Sequence, residues 1–169
     1  MSSTRQPKRK GPDIYPTPRP AVESLRSFLI ERGALYTNDR MLEPCRGGGN
    51  IIDVFPEWSW EWCELLEGRD YLNTAFRAVQ FDWSITNPGF YLALEFLKKS
   101  LVEADSVAFL LRLNFLGSQK RRAFWQQHPV KTLLVLSERP SFTVNGKTDS
   151  TEYAWFIWSS RVPPGVFVR

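Results

Sequence analysis

Residues 81–115 hold two strongly apolar runs, FDWSIT and DSVAFLLRLNF, separated by YLALEFLKKSL, whose apolar residues recur at helical spacing. The second run is continuous enough to be buried on both faces, the habit of a strand inside a parallel sheet. Strand, helix, strand in this order specifies an α/β sheet. The helix is expected from about residue 90 to residue 101.

The flanking sequence extends the same alternation. RMLEP reads as a short buried strand, and WSWEWCELL as another, with Trp58, Trp60 and Trp62 on one side by period two. Upstream, Val22, Leu25, Phe28 and Leu29 recur at helical spacing, with Gly33 as the stop. NIIDVF is expected to open a helix ended by Pro56, and a further helix is expected to begin at Ser118. KTLLVLS and STEYAWFIWSS read as strands joined by the polar loop ERPSFTVNGKTD, giving an antiparallel finish. The latter is expected to be the last strand, about ten residues before the end of the chain.

A chain of 169 residues, 43% of them hydrophobic, has the size and composition of one globular domain. No apolar run is long enough for a membrane span. Cys45 and Cys63 belong to no CxxC or Cys/His cluster, so no metal is expected and a reducing cytoplasm is the simplest setting. The net charge of +4 is carried by the N-terminal segment, through Arg5, Lys8, Arg9 and Lys10; without them basic and acidic residues balance at 18 each. Residues 1–12 are therefore expected to be a basic disordered tail suited to phosphate contact, and 13–169 a single domain.

Chemistry concentrates at two turns. In MLEPCRGGGNI, strand, acid, glycine turn and helix follow one another. Ligands of open α/β sheets bind beside such turns, at the carboxyl ends of the strands. Neither phosphate fingerprint, GxGxxG nor GxxxxGK[ST], is present, which argues against a dinucleotide-binding dehydrogenase. Glu43 instead makes the loop acidic, and a carboxylate there favours a cationic ligand. The second turn is Asn87-Pro88-Gly89-Phe90, directly after an apolar strand.

Together these elements resemble the class I S-adenosylmethionine-dependent amino-methyltransferases, most closely the small phage-type DNA adenine-N6 methyltransferases. The resemblance runs from Asp13 to Trp158. The family's EPxxGxGN cofactor loop is matched by Glu43, Pro44, Gly47, Gly49 and Asn50. Its YxTP element, which helps close the cofactor pocket, is matched by Tyr15, Thr17 and Pro18. Its [DNS]PP[YFW] catalytic motif is matched by Asn87, Pro88 and Phe90. LLRLNFLGSQKR and TDSTEYAWFIW resemble its late strands.

The resemblance implies a Rossmann-like sheet, mostly parallel with an antiparallel C-terminal strand pair, and S-adenosyl-L-methionine as cofactor. Glu43 would face its sulfonium and ammonium end. Glu64, with Glu61 and Glu67 as rivals, would accept the ribose hydroxyls. Asp70 would accept from the adenine amine, and Tyr71 or Leu72 would line the adenine face. The amide oxygen of Asn87 and the carbonyl of Pro88 would hold the acceptor amine for in-line displacement, and Phe90 would stack on the extruded base. The implied partner is nucleic acid, DNA first, contacted by the tail and by Lys120, Arg121 and Arg122. The implied location is the cytoplasm, that of a host if the chain is phage-encoded.

The chain departs from the family in three ways. Gly89 replaces a second proline, loosening the loop by ~0.5–1 kcal/mol. The five residues between Glu64 and Asp70 cannot hold a crossover helix, so the second helix and third strand must be reduced. No separate target-recognition domain is expected. The same motif serves other amine acceptors: RNA adenine, cytosine N4 and protein glutamine. Gly89 also fits a weak or inactive methyltransferase fold kept as a nucleic-acid-binding or partner subunit.

Overall fold

The computed structural model describes residues 16–76, 80–142, 146–148 and 150–169. Seven strands form one sheet: β1 (Arg40–Glu43), β2 (Ser59–Trp62), β3 (Phe81–Thr86), β4 (Ala104–Arg112), β5 (Thr132–Val135), β6 (Tyr153–Trp158) and β7 (Gly165–Val168). Their spatial order is β2-β1-β3-β4-β6-β5-β7. Pairing is parallel from β2 to β4; β6 runs antiparallel to both β4 and β5, and β7 runs parallel to β5. The expected mostly parallel sheet with an antiparallel C-terminal pair is therefore the fold.

Alternation along the strands fills both faces. Met41, Trp83, Ile85, Ala108, Leu110, Trp155 and Ile157 face the helix α1 (Arg19–Glu31), which contributes Val22, Leu25, Phe28 and Leu29. Leu42, Phe81, Val107, Phe109, Leu111 and Phe156 face α2 (Ala93–Glu103) and α3 (Arg122–Gln127), which contribute Leu97 and Phe124. β4 is buried on both faces because successive residues of one apolar run point opposite ways. The indole of Trp155 donates to the carbonyl of Ala21 at 2.8 Å, pinning the first turn of α1 to the sheet. Gly33 stops that helix at φ +59°, a conformation glycine adopts without steric cost.

Several expectations need correction. NIIDVF makes only a 3₁₀ turn, Ile52–Val54. The helix after β3 starts at Ala93, three residues later than its pattern suggests, because Gly89 to Leu92 form a turn first. The segment from Ser118 is split into a 3₁₀ turn, Gln119–Arg121, and the short α3. The last strand is β7, not β6: Gly165–Val168 adds an edge to β5, with Phe167 packed edge-on against Phe28, centroids 5.1 Å apart. As expected from the short spacing, the described part of the β2–β3 connection has 3₁₀ turns at Leu65–Glu67 and Tyr71–Asn73 and no α-helix.

The order β2-β1-β3 places a topological switch between β1 and β3, since the chain leaves β1 toward one edge and builds the rest of the sheet toward the other. A crevice at the carboxyl ends of strands forms at such a point. Glu43 ends β1 there, and Asn87 follows β3 there.

Candidate active site

The glycine turn after β1 is held open by backbone conformation. Gly47 and Gly49 have φ of +53° and +87°, and a Cβ at either would meet nothing within 4 Å. The loop therefore needs glycine for its path, and it borders free space. Arg46 braces it from behind: its guanidinium lies 3.9 Å from the Trp62 ring and pairs with Glu67.

Glu43 is 1% exposed, and its Oε2 is buried without a partner. Burial pushes its carboxyl well above the ordinary Glu value; Arg46 opposes this, while Glu64 and Asp53 add to it. An unpartnered buried carboxylate oxygen is costly unless something else satisfies it. A ligand bearing positive charge and N–H donors would do so, and the open glycines leave room for one. The sulfonium and ammonium end of S-adenosylmethionine has this chemistry, so the residues present fit that cofactor.

Glu64 and Asp70 have local duties as well. The Glu64 carboxylate accepts the Gly47 amide at 2.7 Å and the Leu66 amide at 3.1 Å, tying the glycine loop to the end of β2. Asp70 accepts the Leu72 amide at 3.1 Å and the Asn73 side chain at 2.6 Å, starting a 3₁₀ turn. Carboxylate oxygens have further lone pairs, so these bonds orient the acids without exhausting them. The rivals to Glu64 are exposed and paired, Glu61 with Arg69 and Glu67 with Arg46.

Tyr71 is corrected. It is 1% exposed, its hydroxyl is bonded to Ser100 and Glu103, and its ring packs against Phe96. With its hydroxyl satisfied and its ring packed it belongs to the core, unlike Glu43, whose Oε2 has no partner; its neighbour Leu72 is 37% exposed.

Thr17, buried just before α1, ties the two turns together. Its carbonyl accepts the Asn50 side-chain amide at 2.8 Å, and its hydroxyl accepts the Asn87 amide at 3.2 Å. Pro18 is the N-cap of α1, with Pro20 in the first turn. Tyr15 and the tail residues Arg5, Lys8, Arg9 and Lys10 lie outside the described residues.

Pro88 is buried, whereas Gly89, Phe90, Tyr91 and Leu92 are exposed. Cys45 borders this loop from the β1 side. Burial, reinforced by Glu64 and Glu43, pushes its thiol up to about 11, and a main-chain hydrogen bond from Gly89 opposes the rise. Sequence reasoning passed over Cys45; its place directly after Glu43-Pro44 was the available signal.

The basic residues after β4 divide. Arg121 donates to the carbonyls of Phe115 and Asn114 and lies 4.2 Å from the Phe115 ring, so it locks its own loop. Lys120 and Arg122 are exposed. Among the described residues, no group of His, Cys, Asp and Glu is placed to hold a metal, and no helix is long and apolar enough to cross a membrane.

No protein-family model matches the chain, and neither does any curated protein. Solved structures do. A candidate RNA methyltransferase from Pyrococcus horikoshii superposes with a TM-score of 0.62 at 15% identity, over 86% of this chain and 85% of that one. A candidate class I S-adenosylmethionine-dependent methyltransferase from Listeria monocytogenes gives 0.57 at 13% identity, over 95% and 67%. A dimethyladenosine transferase from Plasmodium falciparum gives 0.54 at 12% identity; the match covers 79% of this chain and 60% of that protein. At such identities the likeness speaks for architecture alone: the chain shares the Rossmann-like, mostly parallel sheet of these solved methyltransferases.

Proposed function

We propose that this chain is an S-adenosylmethionine-dependent methyltransferase acting on an exocyclic amine, adenine N6 of DNA first. The observation that carries the reading is the buried, unpartnered Oε2 of Glu43, beside open left-handed glycines and within the Thr17-linked frame that also holds Asn87. When bound, S-adenosylmethionine would supply its sulfonium methyl group to the acceptor nitrogen, with S-adenosylhomocysteine and one proton released to water as the other products.

The residues supply position and electrostatics. Glu43 would hold the cationic end of the cofactor through its unpartnered Oε2. Asn87 gives its N–H to Thr17, which orients the amide and leaves its oxygen for a donor such as the target amine. That oxygen and the Pro88 carbonyl take the two hydrogens of the target amine. No protein base is needed for bond formation, which suits a site without histidine. Phe90 offers its exposed ring to the base.

RNA adenine fits the same frame, and the likeness to the Pyrococcus candidate RNA methyltransferase supports RNA as much as DNA. The exposed Gly89 favours a second reading, a binding-only methyltransferase fold. Labelled methyl transfer to duplex DNA, single-stranded DNA, RNA and protein in parallel tests the assignment. Calorimetry with S-adenosylmethionine and S-adenosylhomocysteine separates the enzyme from the binding module. No binding of either compound by folded protein ends the methyltransferase reading. Deleting residues 2–10 should weaken nucleic-acid binding and flatten its salt dependence.

A further inference from the structure

Phe96, Lys99, Ser100 and Glu103 share one face of α2, at the i, i+3, i+4, i+7 spacing of a helical stripe. All four grip the turn that starts at Asp70. Phe96 packs edge-on against the Tyr71 ring, centroids 5.1 Å apart. The Tyr71 hydroxyl donates to Glu103 at 2.7 Å. A hydroxyl has one proton, so at its second bond, 3.0 Å long, Tyr71 accepts from Ser100, and Ser100 in turn accepts from Ser84 of β3 at 3.0 Å. Lys99 pairs with Glu103 and donates to the Thr74 carbonyl at 3.0 Å. The Thr74 hydroxyl donates to the Asp70 carbonyl at 2.7 Å. The contacts close a ring from Asp70 through Tyr71, Glu103, Lys99 and Thr74 back to Asp70.

The same turn is fastened to the candidate cofactor loop. The amide of Arg69, directly before Asp70, donates to the Glu64 carbonyl at 3.0 Å, and the Glu64 carboxylate accepts the Gly47 amide. Asp70 is therefore carried by backbone tied at both ends, to the glycine loop and to α2.

We infer that Tyr71 is a positioning residue for recognition of the cofactor's base. Through Ser100 and Glu103 it fixes the turn that presents Asp70 to the adenine amine of S-adenosylmethionine. The inference rests on the methyltransferase reading and adds to it what makes the site selective for adenine.

Three arguments support it. The described part of the β2–β3 connection has no α-helix, and a three-residue 3₁₀ turn has too few hydrogen bonds of its own to keep a shape. Its shape is set by what it is bound to, and the α2 stripe is that support. Packing alone would not require a hydroxyl, since burying one is costly unless it is bonded. Tyr71 is 1% exposed and its hydroxyl is bonded twice, which adds direction to the contact that the ring makes with Phe96. Hydrogen bonds also weaken steeply with misalignment, so a carboxylate on a loose turn would distinguish poorly between a purine that bears an amine and one that does not.

The test uses the full chain and calorimetric affinities for two compounds: S-adenosylhomocysteine and its purine-riboside analogue, in which hydrogen replaces the amine. Wild type should prefer S-adenosylhomocysteine by about tenfold or more, the scale of a hydrogen bond to a charged group. Tyr71→Phe keeps the ring and removes both bonds. It should weaken S-adenosylhomocysteine about threefold to tenfold and leave the analogue nearly unchanged, so the preference falls. Asp70→Ala should abolish the preference, and adding Tyr71→Phe to it should lower the preference no further. Ser100→Ala removes one of the two bonds and should lower the preference by a smaller factor; it carries the test by itself if Tyr71→Phe does not fold. A folded Tyr71→Phe with the wild-type preference overturns the inference. Equal weakening of both compounds also overturns it, because a general loosening of the core has that effect. So does a wild type that binds both compounds equally, since Asp70 then does not meet the amine. Absence of S-adenosylhomocysteine binding in the wild type counts instead against the methyltransferase reading.

Discussion

The side-chain amide of Asn87 donates to the hydroxyl of Thr17 across 3.2 Å, although 70 residues separate them. Thr17 also accepts from Asn50 of the glycine loop at 2.8 Å, through its carbonyl. One buried residue ahead of α1 therefore sets both the loop suited to the cofactor and the amide suited to the acceptor.

This coupling predicts different outcomes at its two ends. Asn87→Ala should nearly abolish methyl transfer while S-adenosylhomocysteine binding survives, because the amide addresses the acceptor. Thr17→Val removes only the hydroxyl and keeps the carbonyl bond to Asn50. It should slow transfer about threefold to tenfold, the equivalent of one neutral hydrogen bond of ~0.5–1.5 kcal/mol. Single-turnover rates check both; a Thr17→Val enzyme at wild-type speed would mean that Asn87 is oriented by something else.

Glu43 should make stability depend on pH. Burial raises its folded value above the unfolded one, so the native state holds the proton more tightly. The associated stability is fully present below the ordinary Glu value and is lost as pH rises through the folded value. Melting curves of cofactor-free wild type should show that loss, and Glu43→Gln should be flatter over the same range. S-adenosylmethionine favours the charged carboxylate, so its binding should release a proton below the folded value. Calorimetry in buffers of different ionisation enthalpy reads this directly. Glu43→Gln should also weaken S-adenosylmethionine binding by ~1–3 kcal/mol; an unchanged affinity would remove Glu43 from the site.

Gly89 can be tested by restoring the second proline. Its φ lies outside the left-handed region, and a Cβ there would meet nothing within 4 Å, so a side chain at this position has space. Stiffening worth ~0.5–1 kcal/mol corresponds to a rate gain of about twofold to fivefold. Proline also removes the amide N–H, the donor that Gly89 can offer the Cys45 sulfur. Gly89→Ala keeps that amide and serves as the control. A folded Gly89→Pro slower than Gly89→Ala would show that the amide, more than stiffness, places the loop.

Arg161 gives a prediction about stability alone. It pairs with buried Asp39 at 2.7 Å and with Asp82 at 3.2 Å; Asp39 immediately precedes β1, and Asp82 lies near the start of β3. Removing the cation leaves Asp39 buried and uncompensated. Arg161→Met should cost about 3 kcal/mol in denaturant unfolding. Because this cluster lies at the amino ends of the strands, S-adenosylhomocysteine affinity of the folded variant should match wild type.

The sequence by itself determined the strand–helix alternation and the two turns that follow β1 and β3. Apolar periodicity is a local property, and continuous runs such as SVAFLL, like the alternating faces of YAWFIW, have one economical place in a sheet. Glu43 and Asn87 stood out as candidates because they lie where apolar strands end, with the glycines in the turn that follows β1, and ligands of α/β sheets bind at such ends. Tyr71 was misread, since nothing local shows that its hydroxyl reaches Ser100 and Glu103 on α2. The strand β7 was missed because four residues of edge strand gain their identity only by pairing with β5. Only the fold brings the carbonyls of Asn114 and Phe115 to Arg121. The bridge from Thr17 to Asn87 was likewise decided only by tertiary structure. It joins residues far apart in sequence, and only the packing of strands fixes which side chains meet.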